Sequence, residues 1–224
     1  MAHRTWMGLL AVVALSAGCA GSATPTPATP APRPALAAGE HSSTTFSPTA
    51  KFTLPDGWLI DEDAADYLAL QPATSDAVGI YLFRSPRPAS QDPSCPTIAI
   101  PDIGTSAKEV TDWIRSLPGL VVGDPTSVTL SGLVGLQVDL GIAAGWSPSC
   151  PFANGIPTVP LFVGTGSGSY RWVVAGSERL RLAILDVPGD GTVVVDIDDF
   201  DGTLMDSFLP IATPIVLSLR FALT

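Results

Sequence analysis

The sequence predicts an α+β fold, a mainly antiparallel sheet flanked by two helices. Short apolar segments, several of them alternating with polar residues, recur between Pro-, Gly- and Asp-rich turns from Lys51 to Ile197, the pattern of strands joined by hairpins. Only two segments, after Ser106 and after Met205, carry apolar residues at helical spacing. A hydrophobic fraction of 46% in 224 residues supports one domain with a packed core once the N-terminal part is set aside.

That N-terminal part has its own logic. Arg4 precedes the apolar stretch Leu9 to Leu15, and Ser16-Ala17-Gly18-Cys19 follows, the layout of a secretory signal with small residues before a cut. The stretch is too short to span the roughly 30 Å hydrocarbon core of a bilayer. Leu15-Ser16-Ala17-Gly18-Cys19 resembles the bacterial lipobox, whose cysteine is acylated (palmitate is one such chain) and becomes the first residue after cleavage. Two acyl chains hold a protein on a bilayer where one binds only marginally. The expected organisation is a lipoprotein signal peptide over 1–18, a lipidated Pro/Ala/Thr-rich tether over 19–42 and a single α+β domain over 43–224. The tether has too little apolar bulk to offset the entropy of ordering.

Within the domain, Lys51 to Leu54 alternates, Pro55-Asp56-Gly57 turns, and Trp58-Leu59-Ile60 extends again. Asp61-Glu62-Asp63 reads as a solvated loop, and Tyr67 to Leu70 and Val78 to Phe83 as strands. Pro86 to Pro101 is an irregular excursion carrying Cys95. Ser106 and Glu109 form a capping box, Val110, Trp113, Ile114 and Leu117 share one helical face, and Pro118-Gly119 ends the helix. Extended pieces follow at Leu120 to Val122, Val128 to Leu130 and Leu133 to Ile142. A second excursion, Pro148 to Pro160, carries Cys150, and Tyr170 to Ala175 is a strand. Arg179 to Val187 and Thr192 to Ile197 flank Pro188-Gly189-Asp190-Gly191 as a hairpin, with Val193, Val195 and Ile197 inward and Asp196 and Asp198 toward water. The last segment, Met205 to Leu219, reads as a helix kinked by Pro210 and Pro214.

Phe52-Thr53-Leu54-Pro55-Asp56-Gly57-Trp58 resembles the F-x-[IVL]-P-x-G-W opening of PsbP/Mog1-like domains, antiparallel sheets sandwiched by helices. Ser218-Leu219-Arg220-Phe221 extends the resemblance to the tail, so that it covers about Ser43 to Phe221. It implies a docking or accessory role and, because that family lacks a shared catalytic set, carries over no active residue.

Composition excludes several functions. The formal charge of −10 repels phosphate backbones, so nucleic acid is not an expected partner. His3 falls in the signal and His41 in the tether, which leaves the domain without a histidine for Ser-His-Asp or Cys-His chemistry. After Cys19, two cysteines remain, both in Pro-Ser-Cys-Pro, and in an oxidising compartment Cys95 and Cys150 most simply pair. A free thiol pair and a metal site are the alternatives, the latter wanting further His or Cys ligands. Gly164 to Gly168 lacks the Gly-Lys-Ser/Thr ending of a phosphate loop and reads as a connection between strands. Asp196, Asp198, Asp199 and Asp201 are the candidates for a cation site, although their spacing misses the EF-hand rule. The expected alternative is a strand end with Asp201 or Thr203 capping the last helix. Trp58 and Trp113 are expected in the core and Trp146 exposed.

No cofactor is implied. The expected protein is therefore a membrane-anchored extracytoplasmic lipoprotein. It would contact the bilayer through acylated Cys19 and bind a protein or small ligand without catalysis. The alternatives are carriage of an apolar ligand between sheet and helices, and a hydrolase using carboxylates of Asp61 to Asp66 or Asp196 to Asp201.

Overall fold

The computed structural model describes residues 34–164 and 170–222. Along the chain come β1 (Gly39–Ser42), β2 (Ala50–Leu54), β3 (Trp58–Asp63), β4 (Tyr67–Pro72), β5 (Val78–Arg84) and β6 (Arg87–Pro88). Then follow α1 (Ala107–Ser116), β7 (Leu120–Val122), β8 (Thr126–Leu130) and β9 (Leu133–Ile142). The remaining elements are β10 (Thr158–Val163), β11 (Arg171–Ala175), β12 (Arg179–Val187), β13 (Gly191–Asp199), α2 (Met205–Ser218) and β14 (Arg220–Phe221). The fold is α+β, as the strand-rich pattern with two amphipathic segments requires.

A central sheet runs β3-β4-β5-β13-β12-β9-β7, with β8 also paired to β9, and its ladders are antiparallel. One face carries α2 and the small sheet β1-β2-β14 over Leu68, Leu70, Ile80, Leu82, Val193 and Val195. The other carries α1 and the small sheet β11-β10-β6 over Tyr81, Phe83, Val138, Leu182, Ile184 and Val194. Burial on both faces explains the uninterrupted Val193-Val194-Val195, since a strand covered on one side only would alternate. The space under α2 is filled by Phe46, Phe52, Leu54, Phe208 and Ala212, each 4% exposed or less.

The Ser106–Glu109 capping box is formed in both directions, and Ala107, Val110, Trp113 and Ile114 are the buried stripe of α1. In α2 the prolines are internal, yet the helix runs unbroken from Met205 to Ser218. Four residues apart, Pro210 and Pro214 lie on the same exposed stripe, where water can satisfy the carbonyls their missing N–H groups release. Asp61-Glu62-Asp63, expected as a loop, instead completes β3 across a bulge between Ile60 and Glu62. Strand pairing with β4 accounts for the difference. Inside the second excursion β10 emerges and pairs with both β11 and β6; a register shift after Pro160 accommodates a residue that cannot donate to a ladder.

A disulfide joins Cys95 to Cys150, with 2.03 Å between sulfurs and 5.6 Å between Cα atoms, and ties the two excursions together. Arg171 reinforces the junction: its guanidinium donates to the Cys95 carbonyl and lies 4.1 Å from the centre of the Phe152 ring.

Candidate functional site

The most unusual chemistry in the described residues sits on β13. This strand is flanked by β5 and β12, and Val194, Asp196 and Asp198 point to the α1 side. Asp196 lies opposite Tyr81 on β5, and Asp198 opposite Gly79. A Cβ at Gly79 would come within 2.5–2.8 Å of the Tyr81 ring, so the glycine lets that ring lie across the strand. Over this spot β11 brings Trp172, whose Nε1 donates to Asp196 Oδ2 at 3.1 Å. The turn after β11 brings Glu178, whose Oε2 accepts from the Ala175 N–H at 2.6 Å.

Asp196 and Asp198 are fully buried and Glu178 is 3% exposed. The expectation that both aspartates face water is thereby overturned. Alternation puts them on the face opposite Val193, Val195 and Ile197, but that face is covered by the small sheet and not by solvent. Asp196 Oδ1, both oxygens of Asp198 and Glu178 Oε1 have no hydrogen-bond donor. Burial, then mutual repulsion, holds the Asp196 and Asp198 carboxyls well above the usual carboxylate range. Glu178 is pushed up to about 7, chiefly by burial, against the lowering effect of its Ala175 bond. Carboxyls in this state are protonated, or share protons, near neutral pH.

Beside the acids lies an aromatic cluster. Trp172 packs 4.7 Å from Tyr81 and 5.1 Å from Phe83, ring centre to ring centre. Tyr67 lies 5.4 Å from Phe83 and 5.6 Å from Tyr170. Tyr81 accepts a 2.6 Å bond from Gln71 Nε2. Burial raises the phenols of Tyr67, Tyr81 and Tyr170 far above their ordinary value, with nearby carboxylates adding to it, so all three are neutral. Tyr67, Tyr170 and Trp172 keep one edge at the surface, and Phe200 is 36% exposed. Such a face, aromatic and backed by acids, suits an apolar or cationic ligand group.

The other sequence candidates are dispersed. Asp199 is fully buried but serves α2: its carboxylate accepts from the Gly202, Leu204 and Met205 N–H groups at 3.1, 2.6 and 2.6 Å. It therefore caps the helix in place of the expected Asp201 or Thr203. Asp201 is exposed, and its carbonyl accepts from Ser177 Oγ. Among the described residues no three acidic, histidine or cysteine side chains converge to hold a metal ion. Asp63 is bound by Thr44, Thr45 and Phe46; partial burial opposes ionisation, but these bonds hold its carboxyl below the ordinary value. His41 contacts the Ala37 carbonyl. Trp58 and Trp113 are buried. Trp146, expected to be exposed, is half-buried and donates to the Thr158 carbonyl at 3.0 Å, packed where a Gly119 side chain would otherwise stand. It lines an open cleft of about 450 Å³ beside the disulfide, with Pro93, Pro118, Pro148 and Pro160. Cys19 and residues 165–168 of the Gly164 to Gly168 run lie outside the described residues.

A cluster of close, buried carboxyls is thus present, but its two aspartates are sealed from any substrate. Its key member Glu178 was not a candidate, since a lone acid after Gly176-Ser177 carries no sequence signal. Asp61, Glu62 and Asp66 bear on the neighbouring aromatic cluster through their charge, which adds to the raised phenols of Tyr67, Tyr81 and Tyr170.

No family model matches the chain, and no curated protein does. Solved structures match in part. The solution structure of cyanobacterial PsbP (CyanoP) from Synechocystis sp. PCC 6803 is 12% identical, with a TM-score of 0.40 over 83% of this chain and 94% of that one. LpqN, involved in cell envelope biogenesis of Mycobacterium tuberculosis, is 14% identical, with a TM-score of 0.38 over 76% and 82%. A Bacteroides thetaiotaomicron VPI-5482 protein is 10% identical, with a TM-score of 0.37, over 77% of this chain, which spans 44% of that one. The fold assignment above rests on the sheets and helices themselves.

Proposed function

We propose that the chain is an extracytoplasmic lipoprotein, acylated at Cys19, whose domain binds a protein or small ligand without chemical turnover. The cystine carries this reading: a Cys95–Cys150 bond persists in an oxidising compartment, the compartment to which the Arg4 to Cys19 segment would deliver it. No transmembrane helix is present among the described residues, so a lipid anchor would be what keeps the domain at the membrane. The deep carboxyls support binding over catalysis, because Asp196 and Asp198 at 0% exposure cannot touch a substrate. The half-exposed Tyr67, Tyr170 and Trp172 edges are the surface we assign to the ligand.

Fractionation tests the anchor. Cys19→Ala should move the protein from membranes to the soluble exported fraction. A native chain that keeps Met1 and stays in the cytosol refutes the reading. Mild crosslinking in membranes, followed by recovery of the chain, should yield a partner whose crosslinks map to the Trp172 face. Turnover by the purified protein across a hydrolase panel would overturn the non-catalytic part.

A further inference from the structure

Three carboxyl groups with four donorless oxygens are packed together out of water, an arrangement that as three anions would not survive folding. Among the described residues no cationic side chain is paired with them. The cationic side chains of the same strands are engaged elsewhere: Arg179 with Asp206 at 3.4 Å, Arg181 with Asp139 at 2.6 Å, and Arg171 with the Cys95 carbonyl. The further titratable groups whose charge reaches Asp198 or the neighbouring Tyr67 and Tyr81 are Asp61, Glu62 and Asp199, all acidic.

We propose that Glu178 and Asp198 share one proton, and that this proton holds β11 and its following turn against the central sheet. Glu178 stands two residues before Leu180, the register partner of Asp198, and so on the same face of the hairpin. Its Oε2 is taken by the Ala175 N–H, which leaves the donorless Oε1 to share a proton with a donorless Asp198 oxygen. Two carboxylates cannot hydrogen-bond; one carboxylic acid donates to one carboxylate, and the contact becomes a charge-assisted bond. Burial raising all three groups agrees with this assignment.

The pair sits where movement would matter. Gly176-Ser177-Glu178 joins β11 of the small sheet to β12 of the central one. The turn is wedged against the 199–202 turn, where a Cβ on Gly202 would strike the Ser177 carbonyl. Removal of the shared proton leaves Glu178, Asp198 and Asp196 repelling one another beneath Trp172. The Trp172–Asp196 bond and the aromatic face above it then loosen. The sign follows from linkage: the folded state holds a proton that the unfolded chain releases near pH 4.5, so stability is full in acid and is lost as pH rises through about 7.

Carboxyl-carbon NMR titration of the whole chain, with thermal unfolding from pH 5 to pH 8, tests this. In the wild type, at least one carboxyl resonance should titrate near neutrality, and the folding equilibrium should weaken roughly 10²-fold between pH 5 and pH 8. Glu178→Gln, whose amide donates permanently to Asp198, should remove that resonance and flatten the pH slope; Asp198→Asn should do the same. If every wild-type carboxyl titrates below pH 5, the proposal is overturned. It is equally overturned if millimolar calcium abolishes the slope in the wild type, since a cation would then occupy the proton's place. Should either variant fail to fold, the wild-type resonances still decide.

Discussion

Replacing Asp199 with alanine isolates one buried carboxylate whose task is structural. Its oxygens accept from Gly202, Leu204 and Met205, the last two at 2.6 Å, so the substitution removes three acceptor contacts at the start of α2. The residue at the helix boundary, Leu204, offers no side-chain cap of its own. A charge-assisted bond contributes about 1.5–3 kcal/mol, and a buried donor left unpaired costs about 1–3 kcal/mol. Water entering the hole recovers part of this, which leaves a loss of roughly 3–4 kcal/mol. Urea unfolding followed by far-UV circular dichroism measures it, with Asp201→Ala as the neighbouring control. Exposed Asp201 bonds only through its backbone carbonyl in this turn, so its substitution should fall within about 0.5 kcal/mol of wild type. A loss below about 1 kcal/mol for Asp199→Ala, or equal losses for the two variants, would refute the argument that Asp199 caps α2.

Gly135→Ala should destabilise strongly, by roughly 3 kcal/mol or more, because its Cβ would stand 1.9 Å from the Ile184 carbonyl oxygen in the paired strand; denaturant midpoints measure this. Cys95→Ser with Cys150→Ser should cost on the order of 4 kcal/mol through release of a loop of 55 residues, checked by thermal unfolding against the oxidised wild type. Asp63 should show a pH dependence opposite to that of Glu178. Its folded-state carboxyl is held low, so its contribution is present above its unfolded value and lost as pH falls through the folded one. The Asp63→Asn variant should accordingly lose less stability on acidification than the wild type. Lack of any difference between the two acid-unfolding curves would contradict that role.

Much of the fold was legible because local chemistry and tertiary need agree. Ser106 and Glu109 marked α1 through groups three residues apart, and Pro188 to Gly191 marked the β12–β13 hairpin through turn chemistry. β1 was hidden: Gly-Glu-His-Ser is polar and short, and it is a strand only because β2 offers it a partner. β10 was hidden by Pro160, which local rules read as a breaker and the ladder absorbs as a register shift. The carboxyl cluster was half visible. Three consecutive valines at 193–195 already signalled a strand with no wet face, and they outweigh the solvation that Asp196 and Asp198 suggest. Glu178 reaches Asp198 from a different strand, a proximity that spacing cannot express. The Asp199 cap likewise acts across five and six residues, beyond the three-residue offset that capping rules describe.

The arrangement β1-β2-β14 places residues near the start and the finish of the described chain on either side of one strand, with the Ala222 N–H bonded to the Thr49 carbonyl. A polypeptide that emerges amino end first, from a ribosome or through a membrane pore, cannot complete this ladder until Phe221 is free. Until then one margin of β2 stays open, and Phe46 and Phe52 wait for the cover that α2 and Phe221 supply. Closure of this small sheet is thereby deferred until the segment holding Phe221 has emerged, long after β2 itself is made.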